Sequence, residues 1–233
     1  MVVDYDHRCT LCNGPTIHRA SMNLGHRCFF FPKCSGQTDL FGTIRESFVF
    51  LDFETTGLEP NHDHIIEVGA LKIDEDGYEH IFQELIQPPV SISPKITQIT
   101  GIDNDMVKHA RPIEPVMRQL REFIGSSKLV IHNADFDMLW LLIGLIRHDI
   151  PLVDSSVICT LKWARSNGES HASLGALTKK YGIGHANAHR ALADAAATRE
   201  LFFIFDRNPK TPRPILESTH YLAQVKRLLR HSS

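Results

Sequence analysis

Two carboxylates, Asp52 and Glu54, close an apolar run in the stretch FVFLDFETTG, Phe48 to Gly57. Side chains two apart on a strand project from the same face, so these acids point together. Like charges held side by side at the end of a buried strand need a cation or a raised pKa. Further acids open later segments: Asp135 and Asp137 follow KLVIH, and Asp194 sits in HRALADA, five residues after His189. Taken singly, each is an ordinary helix cap or solvated residue. Jointly, Asp52, Glu54, one of Asp135 and Asp137, and Asp194 make a set of hard oxygen donors suited to Mg²⁺ or Mn²⁺. Two such ions about 3.5–4 Å apart stabilise both the attacking and the leaving oxygen in phosphodiester cleavage. A histidine beside them takes a proton from the attacking water.

A second constellation lies near the N-terminus, where Cys9, Cys12, Cys28 and Cys34 account for four of the five cysteines. Cys9-x-x-Cys12 followed by Asn13-Gly14 reads as a zinc knuckle. Cys28 and Cys34 complete a four-cysteine site only with an irregular second half, and His26, His18 or His7 is an alternative ligand. Clustered cysteines in a reducing compartment favour a metal over a disulfide. One structural Zn²⁺ is therefore expected. A segment this short buries little core without it.

These residues must be positioned by strands and helices. Phe48–Phe53, His64–Ile73 and Tyr78–Gln87 read as strands, and Asp76-Gly77 is a two-residue hairpin signal between the last two. Short helices are expected at Pro94–Thr100 and Asp103–Ala110, around Gly101. A clearer amphipathic helix runs over Pro112–Ile124, with Val116, Leu120, Phe123 and Ile124 on one face. Lys128–His132 reads as a buried strand and Asp135–Ile146 as an apolar helix. A short strand is expected at Leu152–Val153, then helices at Ser155–Arg165, Ser173–Tyr181 and Ala191–Phe205. The order βββ-α-β-α-β-α-α gives an α/β fold, a mixed β-sheet flanked by helices. The chain divides into a cysteine-rich region at 1–43, a domain at 44–206 and a basic tail with a helix at 207–233.

Composition sets limits. Apolar residues make up 42% of the 233, enough for a core, and the net charge of −2 is not that of a globally basic nucleic-acid binder. From Arg207 onward, however, six Lys/Arg face the single acid Glu217. The tail helix reads as docked on the domain, or else as a basic arm over a phosphate backbone. No run of 18 apolar residues is present, so no membrane span is expected, and the N-terminus lacks signal-peptide order. A cytoplasmic protein follows by default.

DFETTG at 52–57, HNADFD at 132–137 and HRALAD at 189–194 together resemble the three motifs of the DnaQ-like DEDDh 3′–5′ exonucleases, which include the proofreading subunits of bacterial replicative polymerases. ITGIDNDMV at 99–107 and SLGALTKKYGI at 173–183 are also similar to that family. The resemblance covers about residues 45–205 and leaves out a small zinc-ribbon-like N-terminal region and the tail. It implies an RNase H-like fold and two divalent ions held by Asp52, Glu54, Asp137 and Asp194, with His189 as general base. Asp135 falls at the motif's variable position, and His185 reads as loop surface. The resemblance also implies that Thr55, Thr56, Leu58, Gly101, Ile102, Asn133 and Phe136 border the terminal nucleotide. The implied substrate is the 3′ end of single-stranded DNA or RNA, with DNA favoured, and the implied partner a polymerase or another replication or repair protein. The alternatives are an RNA-processing exoribonuclease and a catalytically inert binding module.

Overall fold

A computed structural model describes residues 46–207 and 210–230, together with the backbone of 2–8, 15–18 and 26–28. Those three N-terminal segments are strands β1 (Val2–Arg8), β2 (Pro15–His18) and β3 (His26–Cys28), paired antiparallel in that order. Cys9, Cys12 and Cys34 lie outside the described residues, and so does the side chain of Cys28.

The main sheet begins with β4 (Phe48–Thr55), β5 (Ile65–Ile73) and β6 (Glu79–Leu85) as an antiparallel meander. Helices α1 (Pro94–Thr100), α2 (Asn104–Val107) and α3 (Ile113–Ile124) lead to β7 (Lys128–Ile131), which pairs parallel with β4. Then follow α4 (Ala134–Arg147), β8 (Ser156–Cys159), α5 (Thr160–Ser166), α6 (Leu174–Tyr181) and α7 (Ala191–Arg207). A last strand, β9 (Ile215–Glu217), and α8 (Leu222–Arg230) close the chain. The sheet order is β6-β5-β4-β7-β8-β9, a mixed sheet flanked by helices as expected.

Two departures from the expected elements have local causes. Leu152–Val153 forms no strand; the strand is Ser156–Cys159, and the helix expected from Ser155 starts only at Thr160. The sequence SVIC is a short apolar run, which periodicity alone cannot assign to helix or strand; parallel pairing with β7 decides it. The tail contributes a strand as well as a helix: β9 pairs antiparallel with β8, and Val225 on α8 is fully buried.

β4 divides the core. Val49, Leu51 and Phe53 enter the cluster formed with α3, α4 and α8, whereas Phe48 and Phe50 enter the cluster formed with α7. Phe50 meets Phe202 of α7 at a ring-centroid distance of 5.6 Å. Asp52 and Glu54 continue the Phe48–Phe50 face, so the alternation that packs α7 also aims both acids at that helix.

Candidate active site

Four elements converge at the end of β4. On α7, the eight steps from Asp194 to Phe202 rise about 12 Å. On β4, the four steps from Phe50 to Glu54 cover about 13 Å. With Phe202 packed on Phe50, these matched lengths carry Asp194 to Glu54. Ligand atoms of Glu54, Asp194 and His189 all lie within 4.8 Å of one another.

Gly69 lets α7 approach. It faces Asp52 across the β4–β5 ladder, and a Cβ there would lie 2.1 Å from the backbone nitrogen of Leu192. Only a glycine lets the first turn of α7 press on the sheet.

Asp137 arrives from α4. Parallel pairing of β4 with β7 ends at Phe50, leaving the backbone of Phe53 without a strand partner on that side. The Phe53 N–H donates instead to Asp137 Oδ1 at 3.1 Å, with Asp137 buried. The turn into α4 passes through Asn133 at φ +69°, a left-handed conformation that Asn tolerates. Asp135, two residues before Asp137, is turned outward and pairs with Lys162 Nζ at 2.6 Å.

His189 is exposed, has φ +63°, and donates its backbone N–H to Asp194 Oδ1 at 3.2 Å. His185 is not loop surface: its side chain is 9% exposed, and Nε2 lies 2.6 Å from the same oxygen. The 185–189 loop folds back over the helix start, which no spacing rule in the sequence announces. Glu67 and Arg190 also went unsignalled. Glu67 is fully buried and accepts from Arg190 Nε and Nη2 and from the Ala191 N–H, at 3.0, 2.7 and 3.0 Å.

Among the residues expected to border a nucleotide, Leu58 is 79% exposed at the rim. Thr56 Oγ1 donates to Asp63 and accepts from the His64 N–H, and Thr55 Oγ1 donates to the carbonyl of Gly57. Asn133 is exposed and Phe136 is half-buried against Trp140. Gly101 caps α1 at φ +71°. Ile102 requires a correction. It is fully buried with Ile66, Ile92 and Val107, so its side chain is closed to a base.

The electrostatics suit a cation. Burial, followed by repulsion from Asp137, Asp194, Glu54 and Glu67, raises the Asp52 carboxyl well above its ordinary range. Burial likewise raises Asp137, against the hydrogen bond from Phe53, and pushes Glu54 up to about 8, with Asp194 and Glu67 adding repulsion. The donors are carboxylate oxygens, which fit Mg²⁺ or Mn²⁺. A pH dependence follows. In the unfolded chain these acids release protons near pH 4. The folded chain without metal holds them longer, so their contribution is complete below that pH and is lost as pH rises through about 8. In EDTA the melting temperature should fall between pH 6 and 9. Millimolar Mn²⁺ should restore it, most at pH 9. A flat profile in EDTA would contradict the raised values.

The chain is similar to known proteins in sequence and in fold. An exonuclease family model, RNase T, matches residues 49–202. A PolC-type DNA polymerase III from Streptococcus pneumoniae is 38% identical over 161 residues, covering 68% of this chain and 11% of that protein. The chain thus spans about a tenth of the length of the curated relatives it matches. Among solved structures, Escherichia coli exonuclease I in complex with a dT13 oligonucleotide superposes with a TM-score of 0.64 at 22% identity, over 71% of this chain and 42% of that one. Exonuclease X in complex with 5′-overhanging duplex DNA gives a TM-score of 0.55 at 29% identity, over 70% of this chain and 94% of that one.

Proposed function

The chain belongs to the RNase T exonuclease family, and on that premise we propose that it removes nucleotides from the 3′ end of single-stranded nucleic acid, DNA in preference to RNA. One observation carries this reading. Asp52, with Asp137, Asp194 and Glu54 close enough to raise its pKa, forms an acid cluster that folding alone does not reward.

In this reading Asp52, Glu54, Asp137 and Asp194 hold two Mg²⁺ or Mn²⁺ ions, which when bound stabilise charge on the attacking and leaving oxygens. The exposed imidazole of His189 takes the proton of the attacking water. Its place beside Asp194 allows it to act without burying a charge. His185 acts through Asp194 by fixing one carboxylate oxygen. The exposed Leu58 packs on the terminal base, while Thr55 and Thr56 keep its loop in shape. The preference for DNA draws on the relatives, one a DNA polymerase and two seen with DNA. A polymerase or another replication protein is the proposed partner on the same ground. Among the described residues no helix is long and apolar enough to cross a membrane.

The test is a 5′-labelled single strand, as DNA and as RNA, incubated with Mg²⁺ or with EDTA. A ladder that shortens from the 3′ end, is abolished by EDTA and forms faster on DNA is the expected result. No EDTA-sensitive ladder on either strand would overturn the reading in favour of an inert binding module, and faster RNA digestion would favour an exoribonuclease.

We further propose one structural Zn²⁺ on Cys9, Cys12, Cys28 and Cys34. The support is their clustering, with Cys9 and Cys12 between the paired strands β1 and β2 and Cys28 at the end of β3. Protein purified without chelator should carry about one zinc per chain, lost in the Cys9→Ser/Cys12→Ser variant. Zinc-free protein would rule the site out.

A further inference from the structure

Helix α8 has two chemically distinct faces. Leu222, Val225, Leu228 and Leu229 lie on the core cluster that contains α4, with Val225 fully buried. Lys226, Arg227 and Arg230 fall within an arc of about 100° on the other side, all exposed. Among the described residues, neither Lys226 nor Arg227 forms an ion pair. Both are therefore open to an anion.

The helix is tied to the rim of the acid cluster. Asn61 Nδ2 donates to the Leu228 carbonyl at 3.1 Å. Asn61 belongs to the loop that leaves Glu54, bears Leu58, and is cross-braced by Asp63 through Thr56 Oγ1 and the Glu59 N–H. Arg147, at the far end of α4, donates to the Pro60 carbonyl in the same loop. At its other end α8 follows Tyr221, whose surroundings include Asp135 at the start of α4. Helix α8 thus flanks the loop that carries Leu58, with its basic face exposed.

An acid cluster repels a nucleic-acid strand, so approach depends on cations nearby. Two cations on other elements at the cleft are committed, Arg190 to Glu67 and Lys162 to Asp135. We propose that the Lys226–Arg227 face of α8 binds the phosphodiester backbone of the substrate strand just 5′ of the nucleotide in the cleft. This rests on the exonuclease reading and adds to it a substrate requirement: a strand long enough to reach α8. Charge complementarity and continuity with the Leu58 loop select a polyanion as the occupant.

The experiment uses the full chain and its Lys226→Gln/Arg227→Gln variant. Binding of 5′-fluorescein dT12 is followed by anisotropy in EDTA across a salt series. The variant should bind about tenfold more weakly at low salt, and its slope of log Kd against log salt should fall by about 1.4, or 0.7 for each lost contact on a single strand. Hydrolysis of the p-nitrophenyl ester of thymidine 5′-monophosphate with Mn²⁺, which needs no upstream phosphate, should be unchanged, as should the melting temperature. Equal affinity and equal slope in the two proteins would overturn the proposal, as would failure of the parent chain to bind dT12. If the parent binds dT12 but hydrolyses neither oligonucleotide nor ester, the exonuclease reading fails, while the binding comparison still decides the role of α8.

Discussion

Asp137→Ala should remove metal-dependent digestion by about 10³-fold or more, while Asp135→Ala should leave it within about threefold. The two acids are two residues apart on one helix, and their environments are opposite. Asp137 is buried, receives the Phe53 N–H, and repels Asp52 strongly enough to help raise that group's pKa. Asp135 is half exposed and paired with Lys162, a surface contact worth at most about 1 kcal/mol. Stability separates the roles further. Asp137→Asn keeps an acceptor for the Phe53 N–H and removes one buried charge, so the metal-free variant should melt higher than the parent at pH 8, yet be as inactive as Asp137→Ala. Asp137→Ala leaves that N–H unpaired, at a cost of about 1–3 kcal/mol, and should melt below Asp137→Asn. Full activity in Asp137→Ala with loss in Asp135→Ala would reverse the assignment.

That the sequence distinguishes these acids at all depends on motif position rather than on periodicity. HNADFD offers two carboxylates in the first turn of a helix, and either would complement its dipole. The β4 acids are legible from alternation alone, because the face that carries Phe48 and Phe50 into the core also carries Asp52 and Glu54. What stays hidden depends on contacts between distant segments. His185 meets Asp194 only because the intervening loop turns back at a left-handed His189. Gly69 reads as an ordinary strand residue until α7 is laid across it. Ile102 lies in a segment similar to the family's, yet tertiary packing draws it into a core with Ile66 and Ile92. The strand β9 is three residues long and follows a Pro-rich stretch, too short for any periodic signal.

Glu67→Ala should be strongly disruptive although Glu67 lies outside the acid cluster. Burial works to raise the Glu67 carboxyl, but the hydrogen bonds from Arg190, Gln83 and the Ala191 N–H outweigh it and hold the group below its ordinary pKa. A carboxyl held low contributes stability above its unfolded pKa, and that contribution is lost as pH falls through the folded value. Removing Glu67 leaves the first N–H of α7 and the Arg190 guanidinium without their acceptor, a loss of about 3 kcal/mol, at the low end for a broken buried pair because water reaches the 32% exposed Arg190 side chain. For a chain of this size that corresponds to roughly 10 °C in melting temperature. Activity should fall too. Arg190 directly follows His189, and Asp194 lies one turn further along the helix that Ala191 begins. Arg190→Ala is the informative partner, because its damage takes a different form. It leaves Glu67 fully buried with only Gln83 and Ala191 as donors, so the acid can escape by taking up a proton. The Arg190→Ala loss should therefore grow as pH rises from 6 to 9, while the Glu67→Ala loss should shrink, because removing Glu67 also relieves the repulsion it exerts on Asp52 and Glu54 as they ionise. Thermal melts of both single variants and the double variant across that range measure the coupling. A coupling energy near zero would mean that Glu67 and Arg190 do not hold the start of α7 as a pair, and that the left-handed His189 is fixed by the 185–189 loop alone.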